Sequence, residues 1–269
     1  MSSKGFVLIL ALVFLVSGTY AIGALGANVS HGSASGTGVT AEQAMQTLME
    51  GNARFISGHV CHPNQLDEQR AKAVSGQEPF ATIVSCSDSR VPPEIVFDQG
   101  IGNLFVVRTA GEVMDNATIG TIEYSVEHFH VPLVVVLGHD DCGAVKAAVD
   151  GGAAPGQINY IVDAIKPAVD TAKGMRGDLL SNSINVNAQD VAAQLQATHP
   201  ILSEHVKEGK LQIVAARYHL DTGAVELLGS NAHNYEREYN VACASTPTSV
   251  PSRCSPTLTL YPVCSLTAS

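Results

Sequence analysis

The stretch "ATIVSCSDSRVPPE" (residues 81–94) decides the fold expected of this chain. An apolar, β-branched run leads directly into Cys86, and a carboxylate and a guanidinium follow at Asp88 and Arg90. Continuous apolar runs of this length are typical of strands that are buried on both faces of a parallel sheet. In an open α/β sheet, ligands bind at the carboxyl ends of the strands. The stretch therefore predicts a central strand whose carboxyl end carries chemistry.

Strand and helix patterns alternate along the rest of the chain. Short apolar runs predict strands at 80–85, 104–108, 132–138 and 211–218, and 221–229 predicts a turn followed by a short added strand. Helical patterns occupy 40–56, 66–75, 93–98, 116–130, 142–150 and a polar region over 157–207. Thr40 with Gln43 forms a capping-box signal for the first helix. The alternation predicts an α/β fold with a mostly parallel central sheet flanked by helices.

The two ends of the chain differ in composition from this central part. Residues 1–27 contain Lys4 and an apolar run at 6–16, which predicts a signal peptide; an uncleaved membrane anchor is the alternative. Either interpretation places the folded part outside the cytoplasm, secreted or periplasmic, with a membrane as partner only if the segment stays uncleaved. Residues 28–39 form a Gly/Ser linker, and 245–269 form a Ser/Thr/Pro-rich tail with too few apolar residues to build a core.

The composition limits the classes of partner. The formal net charge of -10 argues against nucleic acid, because phosphate binding needs a basic face. Six cysteines in a chain of 269 residues do not make a disulfide scaffold, because the apolar segments suffice for a core. The composition alone therefore indicates a globular acidic protein without a nucleic-acid face.

A second stretch, "VVVLGHDDCGAV" (134–145), also leaves the end of an apolar run, and it carries His139 and Cys142. Together with Cys86 they supply two thiolates and one imidazole, which suit tetrahedral Zn²⁺ where they converge, and three protein ligands leave the open position of a catalytic site. Asp88 and Arg90 can pair through a bidentate fork beside that metal. Taken singly, each residue has an ordinary explanation: a packed cysteine, a hydrogen-bonded corner histidine, or a structural ion pair.

The pair of motifs resembles the β-class carbonic anhydrases. "CSDSR" is followed, 53 positions after its cysteine, by "HxxC", and the resemblance covers roughly residues 40–230, with flanks "FDQGIGNLFVVRTAG" and "GTIEYSVEHFHVPLVVVLGH". It implies a catalytic domain with an N-terminal helical arm that embraces a second subunit, in a homodimer or tetramer, acting on CO₂ and bicarbonate. It implies zinc ligands and a catalytic dyad at Cys86, His139, Cys142, Asp88 and Arg90.

The resemblance also implies a substrate pocket. Gln77 stands where the family has a substrate-orienting glutamine, and Gly143 matches a glycine whose backbone faces the bound anion. Phe105 and Tyr124 match aromatics that wall the CO₂ pocket, often from across a dimer interface. Ordinary packing is the alternative for Gln77, Phe105 and Tyr124.

The sequence departs from the family pattern at two places. Asp140 stands where serine is common after the zinc histidine, and we expect two consecutive acids there to make the rim of the site more negative. Ile83 stands where some members have a tryptophan beside a regulatory bicarbonate, so that regulatory site is not predicted. The alternative functions are a related zinc enzyme acting on CS₂ or COS and a non-catalytic zinc-binding domain.

Four cysteines lie outside the metal motif: Cys61, Cys243, Cys254 and Cys264. An exported protein would keep disulfides, and a bridge would tether a tail that cannot dock by itself. We predict at least one disulfide among these four, with the pairing left open; the alternative is free thiols in a loose tail.

Overall fold

The central sheet has five strands, and its order brings the two motif-bearing strands side by side. A computed structural model describes residues 38–229. The strands are β1 (Ala81–Ser85), β2 (Leu104–Arg108), β3 (Leu133–His139), β4 (Gln212–Tyr218) and β5 (Val225–Leu228), in the order β2-β1-β3-β4-β5. β1 to β4 are parallel, and β5 pairs antiparallel with β4. The predicted α/β class with a mostly parallel sheet is confirmed, including the short added strand.

The helices are close to their predicted bounds. They are α1 (Ala41–Ile56), α2 (Asp67–Ala73), α3 (Pro93–Val96), α4 (Asn116–Phe129), α5 (Gly143–Asp150), α6 (Ile158–Ala172), α7 (Leu179–Ala197) and α8 (Ile201–Lys207), with a 3₁₀ turn at Ala110–Glu112. Thr40 caps α1, and Gln43 completes the predicted capping box. The polar region at 157–207 divides into three helices, a division that the sequence pattern did not predict.

The sheet is buried on both faces because its central strands are apolar at nearly every position. All five residues of β1 and all seven of β3 are buried. Met45 and Leu48 of α1 pack with the core on one face. On the other face the core includes Ile122 of α4 and Leu195 of α7. Each fully buried side chain of this size stabilises the fold by about 1.5–3 kcal/mol relative to exposure, so the two layers hold β1 and β3 firmly in place.

The predictions about the chain ends concern the signal or anchor segment, the linker and the tail. These segments lie outside the described residues, except for the last two residues of the linker. Within residues 38–229, no helix combines the length and the apolar character needed to cross a membrane. Cys61 is disulfide-bonded, whereas Cys86 and Cys142 are free thiols. The prediction of at least one disulfide among the four remaining cysteines is therefore confirmed at Cys61.

Candidate metal centre and active site

The register of the parallel strands places both motifs at one edge of the sheet. Ser85, the last residue of β1, pairs with Leu137 of β3, two residues before β3 ends at His139. Cys86 follows β1 directly, and Cys142 is the N-cap of α5 just after β3. The carboxyl ends of two neighbouring buried strands therefore deliver all three predicted ligand side chains to the same place.

The three side chains form a group that could hold a metal ion. One ligand atom from each of Cys86, His139 and Cys142 lies within 4.8 Å of the other two, and all three residues are buried. The two sulfur atoms are 4.0 Å apart. Zn–S bonds of about 2.3 Å at tetrahedral angles put two sulfurs about 3.8 Å apart, so the pair is spaced almost as zinc requires.

The hydrogen bonding of His139 also fits a metal ligand. Its Nδ1 lies 2.7 Å from the Asp140 carbonyl oxygen, which can only accept, so Nδ1 carries the proton. The Nε2 atom then has a free lone pair, and it is buried without a hydrogen-bond partner. A buried nitrogen with a free lone pair is costly unless something binds it. The residues present therefore fit zinc.

The surroundings of Cys86 favour its thiolate. Its pKa is lowered to about 4, chiefly because the Cys142 thiol donates a hydrogen bond to it; burial acts in the opposite direction, and the Gly111 N–H adds to the lowering. The pKa of Cys142 is raised, first because it donates to Cys86 and then because of burial. At least one ligand sulfur is thus ready to bind a cation near neutral pH, since the thiolate is the form that binds metals.

Asp88 and Arg90 form the bidentate pair that the sequence predicted. Arg90 Nε donates to Asp88 Oδ1 at 2.9 Å, and Nη2 donates to Oδ2 at 2.7 Å. The pKa of Asp88 is lowered to about 2, chiefly by these Arg90 hydrogen bonds. The Oδ2 atom lies 3.9 Å from His139 Nε2. A fixed, ionised carboxylate therefore stands beside the position where the three ligand atoms converge.

Arg108 supports this loop from the neighbouring strand, a role that the sequence did not predict. It pairs in register with Ser85, so it reaches the same edge of the sheet. Its Nε donates to the Cys86 carbonyl at 2.9 Å, and its Nη2 donates to the Asp88 carbonyl at 2.6 Å. The sequence feature that could have indicated this role is the charged residue at the carboxyl end of the apolar strand "LFVVR".

A second group missed by sequence reasoning lies behind Cys86. The Gly111 N–H points at the Cys86 sulfur from 3.4 Å, and Glu112 is buried beside it with Oε1 unpartnered. Burial, and then the nearby Cys86, raises the pKa of Glu112 well above its usual range. Asn187 of α7 holds both residues of the turn. No spacing rule links a glycine after β2 to an asparagine 76 residues later, so only the folded chain identifies this contact.

Two of the predicted substrate residues, Gly143 and Gln77, are exposed. Gly143 is the exposed first residue of α5, directly after Cys142, and a Cβ added there would meet no atom within 4 Å. Gln77 lies in the exposed segment between α2 and β1, and within residues 38–229 it makes no hydrogen bond to another predicted site residue. Its substrate-orienting role stays a prediction.

Phe105 and Tyr124 lie next to each other, but they are distant from the metal-ligand group of their own chain. Their ring centroids are 6.4 Å apart, and Tyr124 is 43% exposed. Phe105 pairs with Thr82, four residues before Cys86, which is roughly 13 Å along the strand direction at about 3.3 Å per residue. A role in a CO₂ pocket therefore depends on a second subunit and stays a prediction.

The expectation that Asp140 adds to a negative rim is wrong. Arg217 Nε donates to its Oδ1 at 2.6 Å, while the Leu220 N–H lies 3.2 Å and His219 Nδ1 3.3 Å from its Oδ2. Burial alone would raise the pKa of Asp140, but these partners together lower it. Its charge is thus compensated by Arg217, and Asp141 is the exposed acid of the loop.

Comparison with known proteins agrees with this geometry. The family model described as carbonic anhydrase matches residues 81–225, which include every residue of the metal-ligand group and the dyad. The chain belongs to the β-carbonic anhydrase family. The family model and the curated relatives bear the name of an enzyme, which favours an enzyme over the non-catalytic alternative. Proteins named carbonic anhydrase from Mycolicibacterium smegmatis and carbonic anhydrase 2 from Mycobacterium tuberculosis are each 44% identical to it, over 188 and 190 residues; each match covers 68% of this chain and 91% of the relative.

Solved structures of the family share the fold. The β-carbonic anhydrase CcaA is 25% identical, with a TM-score of 0.56 over 70% of this chain and 97% of that one. A Coccomyxa β-carbonic anhydrase in complex with acetazolamide is 27% identical, with a TM-score of 0.54 over 59% of this chain and 75% of that one. The likeness extends over most of each of these solved chains.

Proposed function

We propose that this protein is a zinc enzyme that converts CO₂ and water reversibly into bicarbonate and a proton. The observation that carries the proposal is the convergence of Cys86, His139 and Cys142 beside a fixed carboxylate, with Asp88 Oδ2 only 3.9 Å from the unpartnered His139 Nε2. When bound, zinc supplies a Lewis acid that makes a water molecule acidic enough to act as a nucleophile near neutral pH.

The protein's own groups orient that nucleophile. Asp88 stays ionised because Arg90 holds it with two side-chain hydrogen bonds. Its Oδ2 can accept a hydrogen bond from the attacking oxygen and so aim a lone pair of that oxygen at CO₂. Arg90 Nη2 also donates to the Asp141 carbonyl at 3.3 Å. The guanidinium thereby ties the Cys86 loop to the loop between His139 and Cys142.

The experiment is CO₂ hydration measured by stopped flow on purified full-length protein with a determined zinc content. We expect activity that a chelator removes and added zinc restores. Alanine at any of the three proposed ligands should remove most of the metal and the activity; the variants are Cys86→Ala, His139→Ala and Cys142→Ala. Metal-loaded protein that turns over COS or CS₂ but not CO₂ would support the related-enzyme alternative, and bound zinc without any turnover would support a non-catalytic domain.

We also propose that the enzyme is an extracytoplasmic homo-oligomer. The apolar run at 6–16 supports export, and so does the Cys61 disulfide, because disulfides persist mainly in oxidising compartments. The partly exposed aromatic group of Phe105 and Tyr124 on edge strand β2 and the adjacent α4 supports a partner subunit there. Light scattering of the purified protein should give a multiple of the chain mass, and a monomer at all concentrations would contradict the oligomer.

A further inference from the structure

The turn that follows β2 has an unusual backbone and touches a proposed metal ligand. Gly111 and Glu112 are consecutive left-handed residues, with φ of 65° and 53°. A Cβ at Gly111 would lie 2.6 Å from Ile165 Cδ1 and 3.0 Å from Ala144 Cβ, so a side chain there would force its neighbours to shift. This conformation aims the Gly111 N–H at the Cys86 sulfur, 3.4 Å away.

A single side chain from another element holds that turn in place. Asn187 lies on α7, is 4% exposed, and donates through Nδ2 to the Gly111 carbonyl at 2.9 Å and to Glu112 Oε2 at 3.3 Å. Left-handed backbone is unfavourable for a residue with a Cβ, such as Glu112. The buried amide therefore supplies contacts that keep an otherwise disfavoured turn oriented toward the sulfur.

We propose that Asn187 is a positioning residue that sets the acidity of the metal, by keeping the Gly111 N–H on the Cys86 sulfur. Two thiolate ligands offset the charge of a divalent ion and make it a weaker acid. A hydrogen bond to a ligand sulfur withdraws electron density from it, and such outer contacts tune a metal site. The N–H from Gly111 thus restores part of the acidity that the two sulfurs remove. This inference rests on the proposed zinc-dependent hydration.

The test compares Asn187→Ala with Asn52→Ala, a matched control. Asn52 is also buried and its amide also donates to two acceptors, in its case the main-chain carbonyls of Val96 and Gly223, but none of its hydrogen bonds reaches the metal-ligand group. In full-length protein loaded with Co²⁺, Asn187→Ala should move the sulfur-to-cobalt charge-transfer band to longer wavelength, because the sulfur becomes a better donor. The Asn52 variant should leave the band in place.

The zinc-loaded proteins provide a second readout. Asn187→Ala should lower kcat/KM near pH 7 by about tenfold, within the range for outer-shell changes at metal sites. The loss should largely recover at higher pH, because the midpoint of the pH profile moves up by about one unit. A merely structural defect lowers activity equally at every pH, and that uniform loss would overturn the proposal.

Three further results separate the possibilities. A cobalt band that stays in place in Asn187→Ala, or that moves equally in both variants, would overturn the role of Asn187. If Asn187→Ala fails to fold, wild-type protein with ¹¹³Cd in the site should show scalar coupling between the metal and the Gly111 amide proton, and its absence would overturn the hydrogen bond. Wild-type protein that binds neither Co²⁺ nor Cd²⁺ would refute the proposed metal centre itself.

Discussion

Replacing Asp88 by asparagine tests the role of the carboxylate without changing the proposed metal ligands. Asp88 Oδ1 accepts from both the N–H and the Nε of Arg90, and Oδ2 accepts from Nη2. In Asp88→Asn, one of these oxygens becomes an NH₂ group, which can only donate toward the nucleophile or toward the guanidinium. The three proposed metal ligands are untouched, so we expect the variant to keep its zinc.

The size of the loss follows from the hydrogen bond that the attacking oxygen would donate to an ionised carboxylate. Asp88 is ionised because the Arg90 hydrogen bonds lower its pKa to about 2, and a hydrogen bond to a charged group contributes about 1.5–3 kcal/mol. An interaction of that size, if lost in the transition state, slows the reaction by up to about 100-fold. Loss of a positioned proton acceptor typically costs about 10²–10⁴-fold. We therefore expect kcat to fall by about 100-fold.

The control is Asp141→Asn, which removes the same charge from the same rim. Asp141 is exposed and left-handed, with φ of 50°, a conformation that asparagine tolerates. Arg90 contacts only its main-chain carbonyl, which the substitution keeps. Stopped-flow assays at matched zinc content should find this variant within about twofold of wild type, as for other surface changes.

Two results would refute this reasoning. An Asp88→Asn protein with full zinc content and near-wild-type kcat would show that the carboxylate does not take part in the reaction. Equal losses in both variants would show that negative charge at the rim matters, rather than an acceptor at the Asp88 position.

Three other predictions concern Arg108, Asp140 and Cys61. Arg108→Gln should lower kcat/KM by about 10–100-fold, as expected when support of a metal site is lost. Arg108→Lys should keep only part of the wild-type activity, because one ammonium group cannot span two carbonyls. Wild-type activity in Arg108→Gln would contradict the support role. The pKa of Asp140 is lower in the folded chain, so its contribution to stability is full at neutral pH and is lost as pH falls below about 4. Asp140→Asn should accordingly lower the urea midpoint more at pH 7 than at pH 3, and an equal drop at both would count against it. Peptide mapping of unreduced, alkylated protein should leave Cys61 unlabelled, and a labelled Cys61 would show that the disulfide is absent.

The sequence predicted the parts of the site that depend on strands alone. Cys86 and His139 end apolar runs, and parallel strands put their carboxyl ends at one edge, so their approach could be expected from the amino-acid pattern. The order β2-β1-β3 was not predicted, yet it makes β1 and β3 neighbours. Arg108 was overlooked because its partners are main-chain carbonyls, which leave no trace in a motif.

The contacts that depend on packing between distant elements could not be predicted. Asn187 lies in the polar region that the sequence did not divide into helices, and its role depends on how α7 packs near the 3₁₀ turn. Asp140 was expected to make the rim more negative because nothing nearby in the sequence points to its partner, Arg217, which lies 77 residues away on β4. In both cases the local sequence shows the residue but not the partner that determines what it does.

The separation of the ligands along the chain has a consequence for folding. Cys86 follows β1, whereas His139 ends β3, and the two strands meet only when residues about 50 positions apart pair in parallel. Parallel pairings of this kind form slowly, because the intervening loop must close before any contact compensates for its entropy. A complete set of three ligands cannot exist before β1 and β3 have paired. Metal uptake should therefore come late in folding, and the bound ion would act as a lock that slows unfolding of a sheet already assembled without it.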